Sequence, residues 1–311
     1  MKLKIWIALL ALYIVWGSTY LAILFAVETI PPFLHAAMRF LISGLILFIW
    51  RRAAGDPVPT RRQWISTAIV GVLLLVGGNG FVAFAEQRIP SGVAALIVGT
   101  VPLWLVLIEA LRRGGTRPNW QSIAGLLIGF GGIFLLIGPS EIVGSSIHFD
   151  PVGIAAVVAA AFFWSLGSIF SRSADLPPST LMATGTEMLA GSVALFILSG
   201  SIGEWRGFDP AQISTSSWLG LAYLITFGSL IGFVSYGWLL KNAPVSLVAT
   251  YAYVNPLVAI MLGAWVAHEA LNARILVAAL IIIGSVVLTN TSRQSNAGKK
   301  EEVKPSPAPA D

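Results

Sequence analysis

No acid or base interrupts the chain between Lys4 and Glu28. An apolar run of that length matches a helix crossing a hydrocarbon core of about 30 Å, which takes roughly 20 residues at about 1.5 Å each. Comparable runs follow one another along the chain. They read as ten membrane spans, at about 5–26, 33–50, 65–85, 92–111, 122–138, 152–171, 180–200, 217–239, 246–267 and 273–290. The first follows Lys2 and Lys4 as a signal peptide would, but it is too long for one and lacks a small-residue cleavage pattern, so it counts as a span. The fold class expected is all-α, a polytopic membrane protein.

Composition excludes the soluble alternative. Charged residues make up 11% of the chain, where a soluble domain carries about 25%. The formal charge of +5 would suit nucleic acid, but the positions of the bases give them another use. With the N-terminus inside, 15 of the 19 Lys and Arg residues fall on inside segments, among them Lys2, Arg51, Arg61, Arg112, Arg172 and Lys241. Positive loops stay cytoplasmic. Arg88, Arg206 and Arg274 are left outside, with Arg39 just within the second span. This reading expects a multi-pass protein of the inner (plasma) membrane with both termini cytoplasmic, the lipid bilayer around it and no nucleic-acid partner. The polar, Pro-rich stretch 291–311 reads as a disordered cytoplasmic tail. Cysteine is absent, and His35, His148 and His268 stand singly, so neither a metal nor a cofactor is expected.

The stretch PSGVAALIVGTVPL, Pro90 to Leu103, returns as PVSLVATYAYVNPL, Pro244 to Leu257, each with a second proline twelve positions after the first. Trp16 with Gly17 and Ser18 returns as Trp164 with Gly167 and Ser168. Pro31 and Pro32 return as Pro177 and Pro178, and Gly80-Phe81-Val82 as Gly232-Phe233-Val234. Spans one to five, within 1–140, therefore repeat as spans six to ten, within 150–290. Five crossings are an odd number, so the second copy enters the membrane from the opposite side. The result is a 5+5 inverted repeat about an axis in the membrane plane. Pro102 and Pro256 fall about ten residues into their spans, near mid-depth. Neither has an N–H to give, so the carbonyls of Val98 and Ala252 lose their donors. In lipid that is costly unless protein, water or a cavity satisfies them. Paired defects at mid-depth point to a polar cavity on the internal axis; kinks that serve packing alone are the other reading.

YIVWGSTY at Tyr13–Tyr20, AAMRF at Ala36–Phe40, GGNGFVAFAEQ at Gly77–Gln87 and ATYAYVNPLVAIMLG at Ala249–Gly263, together with PSGVAALIVGTVPL, resemble the drug/metabolite transporter superfamily in its ten-helix EamA type. The likeness covers about residues 5–290. It implies a 5+5 inverted repeat, a central cavity and export of small metabolites such as amino acids. One position departs from the family pattern, in which a glutamate often closes the span after the second proline. Glu269 fills that place thirteen residues after Pro256, but its first-half counterpart is Gly115.

Candidate cavity residues follow from position and pairing. Tyr13, Trp16 and Tyr20 share a face of span one with Ser18 close by, and Trp164 and Ser168 repeat the feature in span six. Core packing is the competing use. Tyr251 and Asn255 stand one turn apart in span nine, just before Pro256, where an amide and a phenol suit an ammonium or carboxylate group. Asn79, Thr100, Pro102 and Tyr236 complete the set.

Three charged residues lie within spans, where ionisable groups are expensive. Glu109 has Arg112 and Arg113 at i+3 and i+4, which predicts a helix ion pair. Arg39 serves either to anchor carbonyls or to gate the pathway. Glu187, its counterpart at the opposite depth, is the candidate to carry a proton. Gly125 and Gly129 form GxxxG beside Gly131 and Gly132, for packing within the monomer or for dimerisation. Gly77, Gly78 and Gly80 in span three, and Gly228 and Gly232 in span eight, permit bends.

The function expected is a secondary transporter, not an enzyme, exporting small polar or amphipathic metabolites by alternating access, with amino acids the first choice. Its partner is a small-molecule substrate, and it is expected to be a monomer, with a dimer as the alternative. The rival classes are a non-transporting accessory or sensor protein and a membrane-embedded lipid-modifying enzyme. The latter needs clustered acids, histidines or a metal, and the acids here are scattered. Span one holds no acid, so the proton exchange of the small four-helix multidrug relatives does not carry over.

Overall fold

In the computed structural model, residues 2–112, 118–137, 149–248 and 250–302 are described, and all the regular structure among them is helical. Spans one, two and three are Lys2–Ala26, Pro32–Ala53 and Arg61–Glu86. Span four is the pair Ser91–Val98 and Val101–Leu111, and span five is Trp120–Ile137. Spans six, seven and eight are Pro151–Ser171, Thr180–Ser201 and Thr215–Leu239. Span nine is the pair Val245–Val248 and Tyr251–Val266, and span ten belongs to the helix Ala273–Glu302. Seven spans are long and apolar enough to cross a membrane, and spans five, nine and ten are built on shorter apolar helices. The final helix runs beyond the end expected near 290 and into the stretch read as a tail. That stretch carries paired Lys and Glu, which are good helix formers; residues 303–311 lie outside the described residues.

Local sequence sets several helix ends. Thr60 and Gln63 form a capping box at the start of span three. Asp150 accepts from the N–H of Val152 (2.7 Å) and Gly153 (3.3 Å) where Pro151 opens span six. Pro32 takes the first position of span two, where a helix needs no N–H.

Other ends are capped from the opposite half. Glu204, just after span seven, accepts from Phe33 N–H (3.3 Å) and Leu34 N–H (2.9 Å) at the start of span two. Glu269, just after span nine, accepts from Ser91 N–H (2.6 Å) and Gly92 N–H (3.1 Å) at the start of span four. His268 takes the left-handed conformation at φ 54° and so turns the chain back over Gly263. A Cβ on Gly263 would lie 2.4 Å from Glu269 Oε2, so the glycine makes the room this cap needs. Asp56, after span two, receives Arg51 Nε (2.8 Å) and Nη2 (2.7 Å). With the Ser179 hydroxyl at the start of span seven as a second donor, Arg51 holds the Asp56 carboxyl down at about 2. The place where a fourth acid would stand is Gly115, which lies outside the described residues.

Small residues set the close pairings, as they do where lipid supplies no hydrophobic drive between helices. Span two packs along span seven, where a Cβ on Gly44 would lie 3.0 Å from Leu189 N. Span five packs along span ten, and there a Cβ on Gly125 would lie 2.1 Å from Thr289 Oγ1 and one on Gly129 2.6 Å from Ser285 Oγ. The GxxxG motif is thus used within the chain. Spans three and eight each carry a π-helical middle, Val72–Gly80 and Leu224–Ile231, where the glycine clusters allow the bend.

Two expectations are corrected. Only span four breaks beside its inner proline, at Gly99 and Thr100. Span nine breaks earlier, before Tyr251, and its helix continues through Pro256. In both, a threonine makes the turn: Thr100 Oγ1 donates to Ile97 O (2.6 Å) and Thr250 Oγ1 to Leu247 O (2.5 Å). Each hydroxyl competes with the helical ladder for a carbonyl three residues back. Glu109, for its part, forms no ion pair with Arg112. That residue takes extended backbone at the helix end (φ −71°, ψ 137°) and leaves the line an i+3 pair requires. Arg113 lies outside the described residues.

Candidate functional site

Between the halves lies a cavity of about 490 Å³, a volume within the roughly 300–1,000 Å³ usual for small-molecule sites. Span one contributes Trp16, Thr19, Tyr20 and Ile23, and span two contributes Arg39 alone. Span three adds Gly78, Asn79 and Val82, and span four adds Val98, Gly99 and Pro102 among others. Trp164 comes from span six, Phe233 and Tyr236 from span eight, and Tyr251, Ala252, Asn255 and Pro256 from span nine. Of the lining residues, Arg172 at the end of span six is the exposed one, so the mouth lies on its side. Toward the other end of span six the space closes on a buried apolar cluster that includes Ile23, Ala26, Val93 and Val157.

The two tryptophans are set by glycines of the opposite half. Trp16 Nε1 donates to the Gly228 carbonyl at 3.2 Å, and a Cβ on Gly232 would lie 2.2 Å from that nitrogen. Trp164 lies against Gly78, where a Cβ would stand 2.8 Å from its Cε3. Around Trp16 gather Phe233 (5.5 Å between centroids), Tyr236 (5.3 Å) and Tyr251 (5.1 Å), the first and last edge-on. Tyr13 does not line the cavity; its hydroxyl bonds to Thr250 Oγ1 at the turn of span nine.

The amides are partly committed to backbone. Asn79 Nδ2 donates to Leu74 O (3.3 Å) inside the π-helical turn. With its amide nitrogen turned that way, Asn255 donates to Tyr251 O (3.2 Å) and Tyr13 O (3.3 Å). It therefore ties span nine to span one beside the proline.

Three expected residues are absent from the lining. Ser18 bonds to Val15 O (3.0 Å) and the Tyr223 hydroxyl (2.7 Å), Thr100 to Ile97 O, and Ser168 to Trp164 O (2.7 Å). Glu187 and Glu109 also stand away from the cavity, whereas Arg39 lines it. Thr19, Phe233 and Arg172 were not singled out by sequence. Neither was Glu86, which is 2% exposed with no hydrogen-bond partner for either carboxyl oxygen among the described residues. It stands next to last in the GGNGFVAFAEQ motif, and an acid at the end of an apolar span is the signal that could have found it. Among the described residues no group of three or more His, Asp or Glu is placed to hold a metal ion.

Two inverted five-span halves enclosing an aromatic-lined cavity form the architecture of a membrane transporter. The chain belongs to the EamA-like transporter family, which matches it twice, over residues 3–138 and 151–291. It is 38% identical over 288 residues to YedA of Escherichia coli (strain K12), an uncharacterized inner membrane transporter, covering 92% of this chain and 90% of that one. YvbV of Bacillus subtilis (strain 168), an uncharacterized transporter, is 24% identical over 285 residues, at 91% and 90% coverage. A solved crystal structure shares the fold with a TM-score of 0.61 at 22% identity, over 93% of this chain and 97% of the other.

Proposed function

We propose that this multi-pass transporter exports small amphipathic metabolites, with amino acids as the first class, by alternating access around the central cavity. The observation that carries the reading is the cavity itself: aromatic on its walls, sparing in polar groups and placed where the halves cross. The distribution of bases supports an N-terminus and C-terminus in the cytoplasm of a cell whose inner membrane holds the protein. Arg172 then marks a cytoplasmic mouth, the side from which an exporter loads. Rocking of one half against the other, about the π-helical middles of spans three and eight, would close that mouth and open the far side. The GxxxG face is occupied by span ten, which supports a monomer as the working unit.

Efflux from proteoliposomes preloaded with a panel of labelled amino acids tests the proposal. Saturable efflux of at least one compound is expected, and none from folded protein refutes it. Single cysteines introduced near each terminus, in a chain that has none of its own, report sidedness: labelling of both termini by an impermeant reagent in intact cells would contradict the topology.

A further inference from the structure

The charges at the cavity are of one sign. Arg39 and Arg172 line it, and no aspartate or glutamate does. Arg39 is 4% exposed and stands inside span two. Its Nε donates to Ser229 Oγ at 3.0 Å, and its guanidinium lies over the Phe40 ring at 4.9 Å. No other hydrogen bond and no ion pair engages it among the described residues. A guanidinium has five N–H donors in a rigid fork and stays charged. A buried charge without a counter-ion is costly in water-excluded surroundings, and within a membrane span such a group marks a pathway or a ligand.

The cavity also keeps space for a counter-ion. Gly228 stands where a Cβ would lie 3.1 Å from Arg39 Nη2, so a side chain at that position would crowd the guanidinium. Tyr20, Tyr236 and Tyr251 line the same space, and their hydroxyls make no hydrogen bond among the described residues.

We propose that Arg39 is the substrate-anchoring residue and that the transported compound presents a carboxylate to its fork, with a flat apolar body against Trp16 and Trp164. The inference rests on the transport reading and names its substrate class: monocarboxylates, either anions or zwitterions, in preference to amines. The fork of Arg39 suits two parallel bonds to a carboxylate. An α-ammonium on such a compound meets the aromatic faces around Trp16.

The test compares compounds that share one phenylethyl body: phenylalanine, 3-phenylpropanoate, 3-phenylpropanamide and phenethylamine. Binding of each labelled compound to purified protein is measured beside its efflux from proteoliposomes. The two carboxylates are expected to bind at least about 10-fold more tightly than the amide and the amine, the scale of one charge-assisted pair. Amine or amide binding as tight as the carboxylates overturns the proposal, as does the absence of carboxylate binding, even where another compound is transported. Carboxylate-selective binding without any flux upholds the site and refutes the transport reading instead. Arg39→Gln, checked for a monodisperse elution profile, should erase the preference and Arg39→Lys should retain part of it. A preference unchanged in folded Arg39→Gln overturns the assignment, and if that variant fails to fold the wild-type panel still decides.

Discussion

Spans four and nine start from nearly the same sequence and solve the same defect differently. In span four the chain breaks at Gly99 and Thr100, so Pro102 stands near the start of a new helix, where its missing N–H costs nothing. In span nine the break falls about one turn earlier, and Pro256 stays in the helix interior. Beside that proline the Asn255 side chain reaches the carbonyls of Tyr251 and Tyr13 and so ties the helix to span one. The two spans meet where Gly99 faces Pro256, a Cβ on the glycine lying 3.0 Å from Pro256 Cγ. The outer ends differ as well, for Glu269 staples the start of span four while the matching residue for span nine is Gly115. Equivalent sequences therefore hold unequal shapes, as a cavity open on one side requires of an inverted repeat.

The largest expected effect comes from wedging the crossing. Gly99→Leu places a branched side chain against Pro256 and should cost about 1–3 kcal/mol, read as a lowered Tm in detergent, with transport abolished. An unchanged Tm and flux would mean that the spans do not touch there. Next is the cap that Glu269 gives span four. Glu269→Ala should cost about 0.5–2 kcal/mol, the range for losing an N-cap, and Gly115→Glu should return part of that range to the other end. If adding the acid also slows efflux, the end of span nine takes part in the motion; stabilisation with unaltered flux would separate the cap from the motion.

Asn255→Ala tests the tie between spans nine and one. Loss of its bonds to two carbonyls should cost about 1 kcal/mol and weaken transport while expression holds, and unchanged kinetics would remove Asn255 from the working cavity. The smallest effect belongs to Asp56, whose carboxyl Arg51 and Ser179 hold at about 2, below its ordinary 3.8. A depressed folded-state value stabilises above the unfolded value and loses that contribution as pH falls toward 2. Asp56→Asn should flatten the acid limb of the Tm profile below pH 4, and a profile identical to wild type would discount the contact.

Much of this was legible from residue types alone. The apolar runs gave the crossings, and Trp16 with Trp164 and Pro102 with Pro256 marked the cavity because they recur in both halves. Ser18, Thr100 and Ser168 were expected in the lining and are not there. A hydroxyl inside a helix has a carbonyl three or four residues back always within reach, and nothing in the sequence says whether it takes that bond. Depth along span two located Arg39 near one face of the membrane, but not the direction in which its side chain points. Glu86 sits in a recognised motif, yet its lack of a hydrogen-bond partner among the described residues depends on which neighbours the fold brings to it.

By itself the sequence determined a membrane protein of ten helices duplicated upside down. Apolar length and an odd number of crossings are properties of the chain read in order, and no contact is needed to count them. Only the tertiary structure decided that Arg39 has no counter-ion among the described residues, that span nine breaks before its proline and that the mouth opens beside Arg172. Each of these depends on which groups from distant segments meet across the helix interfaces, and small residues such as Gly99 and Gly228 set those distances without announcing their partners.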